Sequence, residues 1–198
     1  MAHEYPWYEI VEETDELEQG DFIDDFEVLV TTYIPDEAEV DMPILRAKGI
    51  GRKYNIVVVS QSCDLDIGKL DYVLLCPRMK CSEYVELNKH YGAKSIANNL
   101  ENIRQGRQHN YCMLNECNLP DLPCEIQLVE LGTIFSIPFD TMKQMIRSHG
   151  KRLRLLSPYK EYLAQAFARY YMRVALPIDI ENFDTAKIQN QLGTKLLR

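Results

Sequence analysis

The first 45 residues contain no lysine or arginine, while they hold fifteen of the chain's 30 acidic side chains. The N-terminus therefore lacks the basic-then-apolar order of a signal peptide. No uninterrupted apolar run approaches the roughly 20 residues that a membrane helix requires, so a cytoplasmic protein with no membrane partner is expected. There is no C-x-x-C: Cys76 and Cys81 are separated by four residues, as are Cys112 and Cys117, which excludes the spacing of a zinc knuckle. A P-loop, a Gly-x-Gly-x-x-Gly, a His-Glu-x-x-His and a Gly-x-Ser-x-Gly are all missing. Nucleotide hydrolysis, dinucleotide redox chemistry, zincin activity and a hydrolase elbow thus lack their usual signatures, and no cofactor is expected.

What the chain does have is an uneven charge. Its net charge is −8, but residues 46–140 balance at eleven of each sign and residues 141–198 carry eleven basic against four acidic side chains. An acidic total consequently leaves room for a basic binding face after residue 45. The six cysteines read as free thiols in a reducing compartment.

The centre of the sequence is Tyr54–Pro77. Four consecutive β-branched residues, Ile56 to Val59, mark a strand covered on both faces, and Tyr72 to Cys76 is its expected antiparallel neighbour across a short polar link. Before it, Phe22 to Val30 predicts a strand interrupted near Asp24-Asp25, and Met42 to Ile50 another short strand. Residues 81–108 carry apolar side chains at three- and four-residue intervals and are read as a helical insertion broken at Gly92. Tyr111–Leu114, Ile126–Val129 and Thr133–Ile137 read as returning strands. Asp140-Thr141 caps a short helix stopped at Gly150. Ser157-Pro158 then starts an amphipathic helix whose stripe includes Tyr159, Tyr162, Leu163, Ala166, Phe167 and Tyr170. The expected organisation is an acidic arm over 1–18, one domain over 19–176, and a C-terminal extension over 177–198.

The turn Ser60-Gln-Ser-Cys-Asp64 gathers reactive side chains beside an apolar strand. Cys63 is a candidate nucleophile, with His90, His109 or His149 as base and Asp64 as orienter, or else a thiol packed at a strand end. Asp64 and Asp66 can bind a metal through oxygens, although Asx-turn hydrogen bonding is the simpler role. Arg52, Lys53, Arg78 and Lys80 near the central strand ends, with Arg104, Arg107 and His109, are candidates for one basic groove, or are ordinary surface charge. The helix tyrosines can stack on nucleobases, but their spacing favours core or a dimer surface, so a homodimer stays open.

In order and strand character, Gly20-Asp21, Arg52-Lys53 before Ile56-Val-Val-Val-Ser60, Val73-Leu-Leu-Cys-Pro77 and Gly132–Pro138 leading to Met142 resemble the toxin-type barrel of the MazF/PemK endoribonucleases. The resemblance implies a small antiparallel SH3-like barrel of the α+β class, with helical insertion and C-terminal helix. The resemblance points to Arg52, Lys53, Ser60 and Arg78, and the reactive turn adds Cys63 and Asp64 to the candidate catalytic residues. Where that family has an arginine followed by proline, and a threonine or serine after the proline-ended strand, this chain has Lys53-Tyr54 and Arg78. The expected function is therefore a bacterial toxin-like or defence-associated module that binds nucleic acid, RNA above all, or a partner protein, its ribonuclease chemistry lost or altered. A metal-independent endoribonuclease, and a cysteine-dependent enzyme or metal-bound sensor centred on Cys63, are the alternatives. The Ser60-Gln-Ser-Cys-Asp-Leu65 run and the Ser157 helix also resemble a bacterial group to which no chemistry attaches.

Overall fold

The computed structural model describes residues 5–34, 46–66 and 69–172. The C-terminal extension, and the beginning of the strand expected from Met42, lie outside these residues. The fold is α+β, with antiparallel sheets and, among the described residues, five α-helices. Among the described residues no helix is long and apolar enough to cross a membrane.

The sheet is organised by β2 (Phe22–Ile34) and β3 (Arg46–Val58), which form a long antiparallel ribbon. β4 (Tyr72–Lys80) pairs with β3 in the register Asn55↔Arg78 to Val58↔Leu75. Along β3 the side chains alternate between two cores, because successive residues of a strand point to opposite faces. Val57 and Val59 join Cys76 in one apolar cluster, whereas Ile56 and Val58 join Val73 and Leu75 in another. Both faces are covered, which accounts for the unbroken β-branched run. β6 (Gln127–Glu130) and β7 (Phe135–Pro138) each pair with a different part of β4, and β5 (Tyr111–Leu114) pairs with β6. The turn after β3 forms α1 (Ser62–Asp66) instead of a plain link.

The insertion consists of α2 (Cys81–Leu87), a 3-10 turn (Lys89–Tyr91) and α3 (Ala93–Arg104), with the break at Gly92 as expected. α4 (Phe139–His149) packs Met142 and Ile146 into the second cluster and ends before Gly150. α5 (Tyr159–Tyr171) closes the first cluster with Leu163. Its tyrosines are used in packing: Tyr159 stacks on Trp7 with ring centroids 3.6 Å apart, and Tyr171 donates to the Leu131 carbonyl at 2.9 Å.

Two strands arise where periodicity gives little sign of them. β1 (Tyr8–Val11) lies within the acidic segment and pairs antiparallel with β8 (Arg152–Leu155). Arg152 and Arg154 are buried in β8 because Asp21, itself fully buried, accepts from both Nε atoms. Arg152 also donates to the carbonyls of Glu12, Asp15 and Glu16, and Arg154 to the Glu18 carboxylate at 2.8 Å. The acidic segment thus wraps two arginines with backbone oxygens as well as charge.

Gly20-Asp21 joins the two sheets. On one side the Gly20 amide donates to Val58 and the Val58 amide to Asp21; on the other the Leu155 amide donates to Gly20. Gly20 has φ +88°, and a Cβ there would stand 2.8 Å from that of Leu155, so both backbone and space require glycine. The first cluster therefore collects side chains from β1, β2, β3, β4, β5, β6 and β8. Among the described residues no backbone ladder joins β1 to β5, and the sheet is not closed into a barrel. Across this seam the Tyr8 hydroxyl donates to the Asn115 carbonyl at 2.7 Å.

Candidate polar cleft at Arg78

Arg78 continues the row of β4 residues that faces the first core, next to Cys76. A guanidinium reaching an apolar cluster must have its donors satisfied. Arg78 places one donor of each nitrogen, with Nε to the Ile56 carbonyl at 3.3 Å, Nη1 to Gln127 Oε1 at 2.7 Å, and Nη2 to Asp24 Oδ1. Its charge lies 4.3 Å above the centre of the Phe22 ring. Burial holds its pKa below the ordinary arginine value, and Asp24 opposes that shift.

Asp24 reaches Arg78 because β2 bulges there. The register passes from Ile23↔Ile56 to Phe26↔Tyr54, so Asp24 and Asp25 together oppose Asn55. Asp25 has φ +49°, a left-handed conformation for a non-glycine residue, and its amide donates to Asn55 Oδ1 at 3.1 Å. The Asp24 amide, turned out of the ladder, donates to His149 Nε2 at 3.2 Å. In this bond the His149 ring nitrogen is the acceptor, which turns Nε2 toward the backbone of the bulge.

Above Arg78 opens a cleft of about 470 Å³ whose rim includes Lys80, Cys124, Glu125, His149 and Lys151. The Lys151 ammonium is 3.4 Å from Glu12 and 3.6 Å from Asp121. The acidic segment therefore reaches the edge of the cleft.

Arg52, Lys53, Ser60, Cys63 and Asp64 lie elsewhere. Arg52 and Lys53 are exposed on β3 opposite Val28 and Glu27. Ser60 stands five positions beyond Asn55, roughly 17 Å along an extended strand. It is buried, and its hydroxyl accepts the Leu74 amide at 2.9 Å, fixing the start of β4. Ser60 and Asp64 line a separate cleft of about 620 Å³ with Gln19, Tyr72 and Phe167. The Asp64 amide donates to the Gln61 carbonyl, a backbone turn bond at the start of α1 in which the carboxylate of the expected Asx-turn takes no part. Cys63 is exposed, with its sulfur 3.7 Å from Gln61 Oε1. Ser62 instead ties the turn to the N-terminal segment, accepting from the Gln19 amide and approaching Glu18. Among the described residues no group of three or more His, Cys, Asp or Glu is arranged to hold a metal ion.

Of Arg52, Lys53, Ser60, Cys63, Asp64 and Arg78, Arg78 alone lines the polar cleft, while Lys80 and His149, named from the sequence for a basic groove and as a base for Cys63, line it too. Asp24, Asn55, Gln127 and Lys151 join them from strands and loops far apart in sequence, and the sequence signal for these four was the Asp24-Asp25 interruption of an otherwise apolar strand. Comparison of the chain with family models, with curated proteins and with solved structures finds no match.

Proposed function

We propose that the protein is a toxin-like, defence-associated module that binds single-stranded RNA across the Arg78 cleft without cleaving it. The observation carrying this reading is that the two groups best suited to ribonuclease chemistry there are already committed. Metal-independent cleavage needs a base with a free lone pair for the 2′-hydroxyl and a cation free to meet the developing phosphorane charge. His149 Nε2 accepts a backbone amide, and every nitrogen of Arg78 has a protein acceptor. Lys80 and Lys151 at the rim remain suited to backbone phosphates, because both are exposed.

The toxin-barrel part of the reading draws support from the core that seven strands share and from the Tyr8–Asn115 bond across the seam. The acidic segment acts as a built-in competitor: Glu12 holds Lys151 where an RNA phosphate would stand. An antitoxin-like role for the segment follows, exercised through single side chains, since β1 is too integral to the sheet to remove.

Fluorescence anisotropy with a labelled single-stranded RNA, at several salt concentrations, tests the proposal, and a gel of the same mixture reports cleavage. The expected result is intact bound RNA. Lys80→Ala and Lys151→Ala should each weaken binding and flatten the dependence of log K on log salt by about 0.7 per lost phosphate contact. Glu12→Gln should tighten binding. Wild-type affinity in the Lys80→Ala/Lys151→Ala double variant would refute the site. Metal-independent cleavage would transfer the assignment to an endoribonuclease. Binding of an acidic partner protein with no affinity for RNA would replace RNA as the ligand.

A further inference from the structure

Cys117 and Cys124 face each other at an isolated antiparallel bridge outside the named strands. The Cys117 amide donates to the Cys124 carbonyl at 2.7 Å and the Cys124 amide to the Cys117 carbonyl at 2.9 Å. A reciprocal pair of this kind sets the Cα atoms about 5.5 Å apart with both side chains on the same face. That Cα separation lies inside the disulfide range, and the Cβ atoms, about 5.5 Å apart in such a pair, need to close by about 1 Å to form the bond. The segment between them, Asn118–Pro123, carries two prolines and a turn in which the Leu122 amide bonds to Leu119. It also presents Asp121 to Lys151.

We infer that Cys117 and Cys124 form a reversible dithiol–disulfide site that staples the 117–124 loop when the protein meets a low-molecular-weight disulfide such as oxidised glutathione. The two thiols differ in access. Cys124 is half-buried and lines the Arg78 cleft, whereas Cys117 is 4% exposed and belongs to the first core. The order of events follows from that difference. The Cys124 thiolate attacks one sulfur of the small disulfide, breaking its S–S bond, releasing one thiol and leaving a mixed disulfide on Cys124. The Cys117 sulfur, as its proton leaves to solvent, displaces the second small thiol and forms the internal bond. Two protein thiols are oxidised by two electrons, and one small disulfide is reduced to two thiols. Burial raises the Cys124 thiol above its ordinary pKa, so the site responds slowly and is not a fast catalytic thiol. Cys76 and Cys112, both deep in the same core, lack such a facing partner at a backbone bridge among the described residues. The inference goes beyond the proposed RNA binding and does not depend on it.

The test uses the intact folded protein incubated with oxidised glutathione, followed by alkylation of remaining thiols, digestion and mass spectrometry. The expected product is a single cross-linked peptide pair, Cys117 to Cys124, two hydrogens lighter than the reduced peptides, with Cys76, Cys81 and Cys112 alkylated and the exposed Cys63 alkylated or carrying one glutathione. Adding a reductant should restore both thiols. The Cys117→Ser variant should stop at one glutathione on Cys124. Glutathione retained on Cys124 in the wild-type protein, a cross-link to any other cysteine, or no change in a fully oxidising buffer would each overturn the inference. Because the wild-type peptide map needs no variant and no RNA, its failure is distinct from failure of the proposed function.

Discussion

Replacing Asp21 by asparagine keeps the side chain's size and removes the charge that two buried arginines share. Asp21 and the Arg152 side chain are fully buried, and Arg154 is nearly so. The carboxylate accepts from Arg152 Nε at 2.8 Å, from Arg154 Nε and Nη2, and from the Glu18 amide at 3.1 Å. An amide turns one of its two acceptor oxygens into a donor aimed at guanidinium donors, and leaves two buried cations with Glu18 as the remaining carboxylate. Breaking a buried pair in this way costs about 3–5 kcal/mol. For a chain of this length each kcal/mol moves Tm by about 2–4 °C, so a fall of about 6–20 °C is expected. Urea denaturation followed by circular dichroism gives the free energy and the m value together. Glu12→Gln is the comparator, because it breaks the exposed Lys151 contact and should change stability by less than about 1 kcal/mol. The acidic segment should also become protease-sensitive in Asp21→Asn, since the Arg152 donors that hold the carbonyls of Glu12, Asp15 and Glu16 lose their anchor. An Asp21→Asn protein within about 1 kcal/mol of wild type, at an unchanged m value, would refute the claim that this network supports the joint between the sheets.

Gly20→Ala should destabilise by about 2 kcal/mol or more in the same assay, because it combines a positive φ with a Cβ contact of 2.8 Å to Leu155; a neutral substitution would contradict the described crossing of β8. Burial pushes the Cys76 and Cys112 thiols from 9.0 up to about 12, so they keep their protons in the folded protein after the unfolded chain has lost its own. Stability is then fully present below pH 9 and falls as the pH rises toward 12, by about 1.4 kcal/mol per pH unit for each thiol. Urea midpoints measured from pH 8 to pH 10.5 check this, and Cys76→Ala should flatten the decline; a midpoint independent of pH would sink it.

Much of the fold can be read from local pattern. Ile56–Val59 announces a strand buried on both sides, Gly92 and Gly150 end helices, and the Tyr159 stripe finds its core. β8 could not be read in this way. Arg-Leu-Arg-Leu looks like a solvent-facing stretch, and its arginines are buried because Asp21, distant in sequence, supplies the charge that makes burial tolerable. β1 was hidden for the same reason, its partner being β8. The candidate site was legible at Arg78, Lys80 and His149, though not as one group. The Ser60–Asp64 turn drew notice through its reactive side chains, yet Ser60 and Ser62 spend their hydroxyls on backbone amides. The bulge and the helix end that deliver Asp24 and His149 were each marked locally, by Asp24-Asp25 and by Gly150, but their meeting at Arg78 depends on contacts between segments far apart in sequence.

The pairing of β1 with β8 also bears on how the chain is made. The ribosome releases Tyr8–Val11 long before Arg152–Leu155 exists, so β1 must wait as an open strand edge, the kind of segment that invites pairing with another chain. Glu9, Glu12, Glu13, Asp15 and Glu16 surround it, all exposed even in the folded protein. Mutual repulsion between such segments would keep nascent copies apart until β8 emerges, giving the acidic residues a gatekeeping role during synthesis beyond the contacts they make in the finished fold.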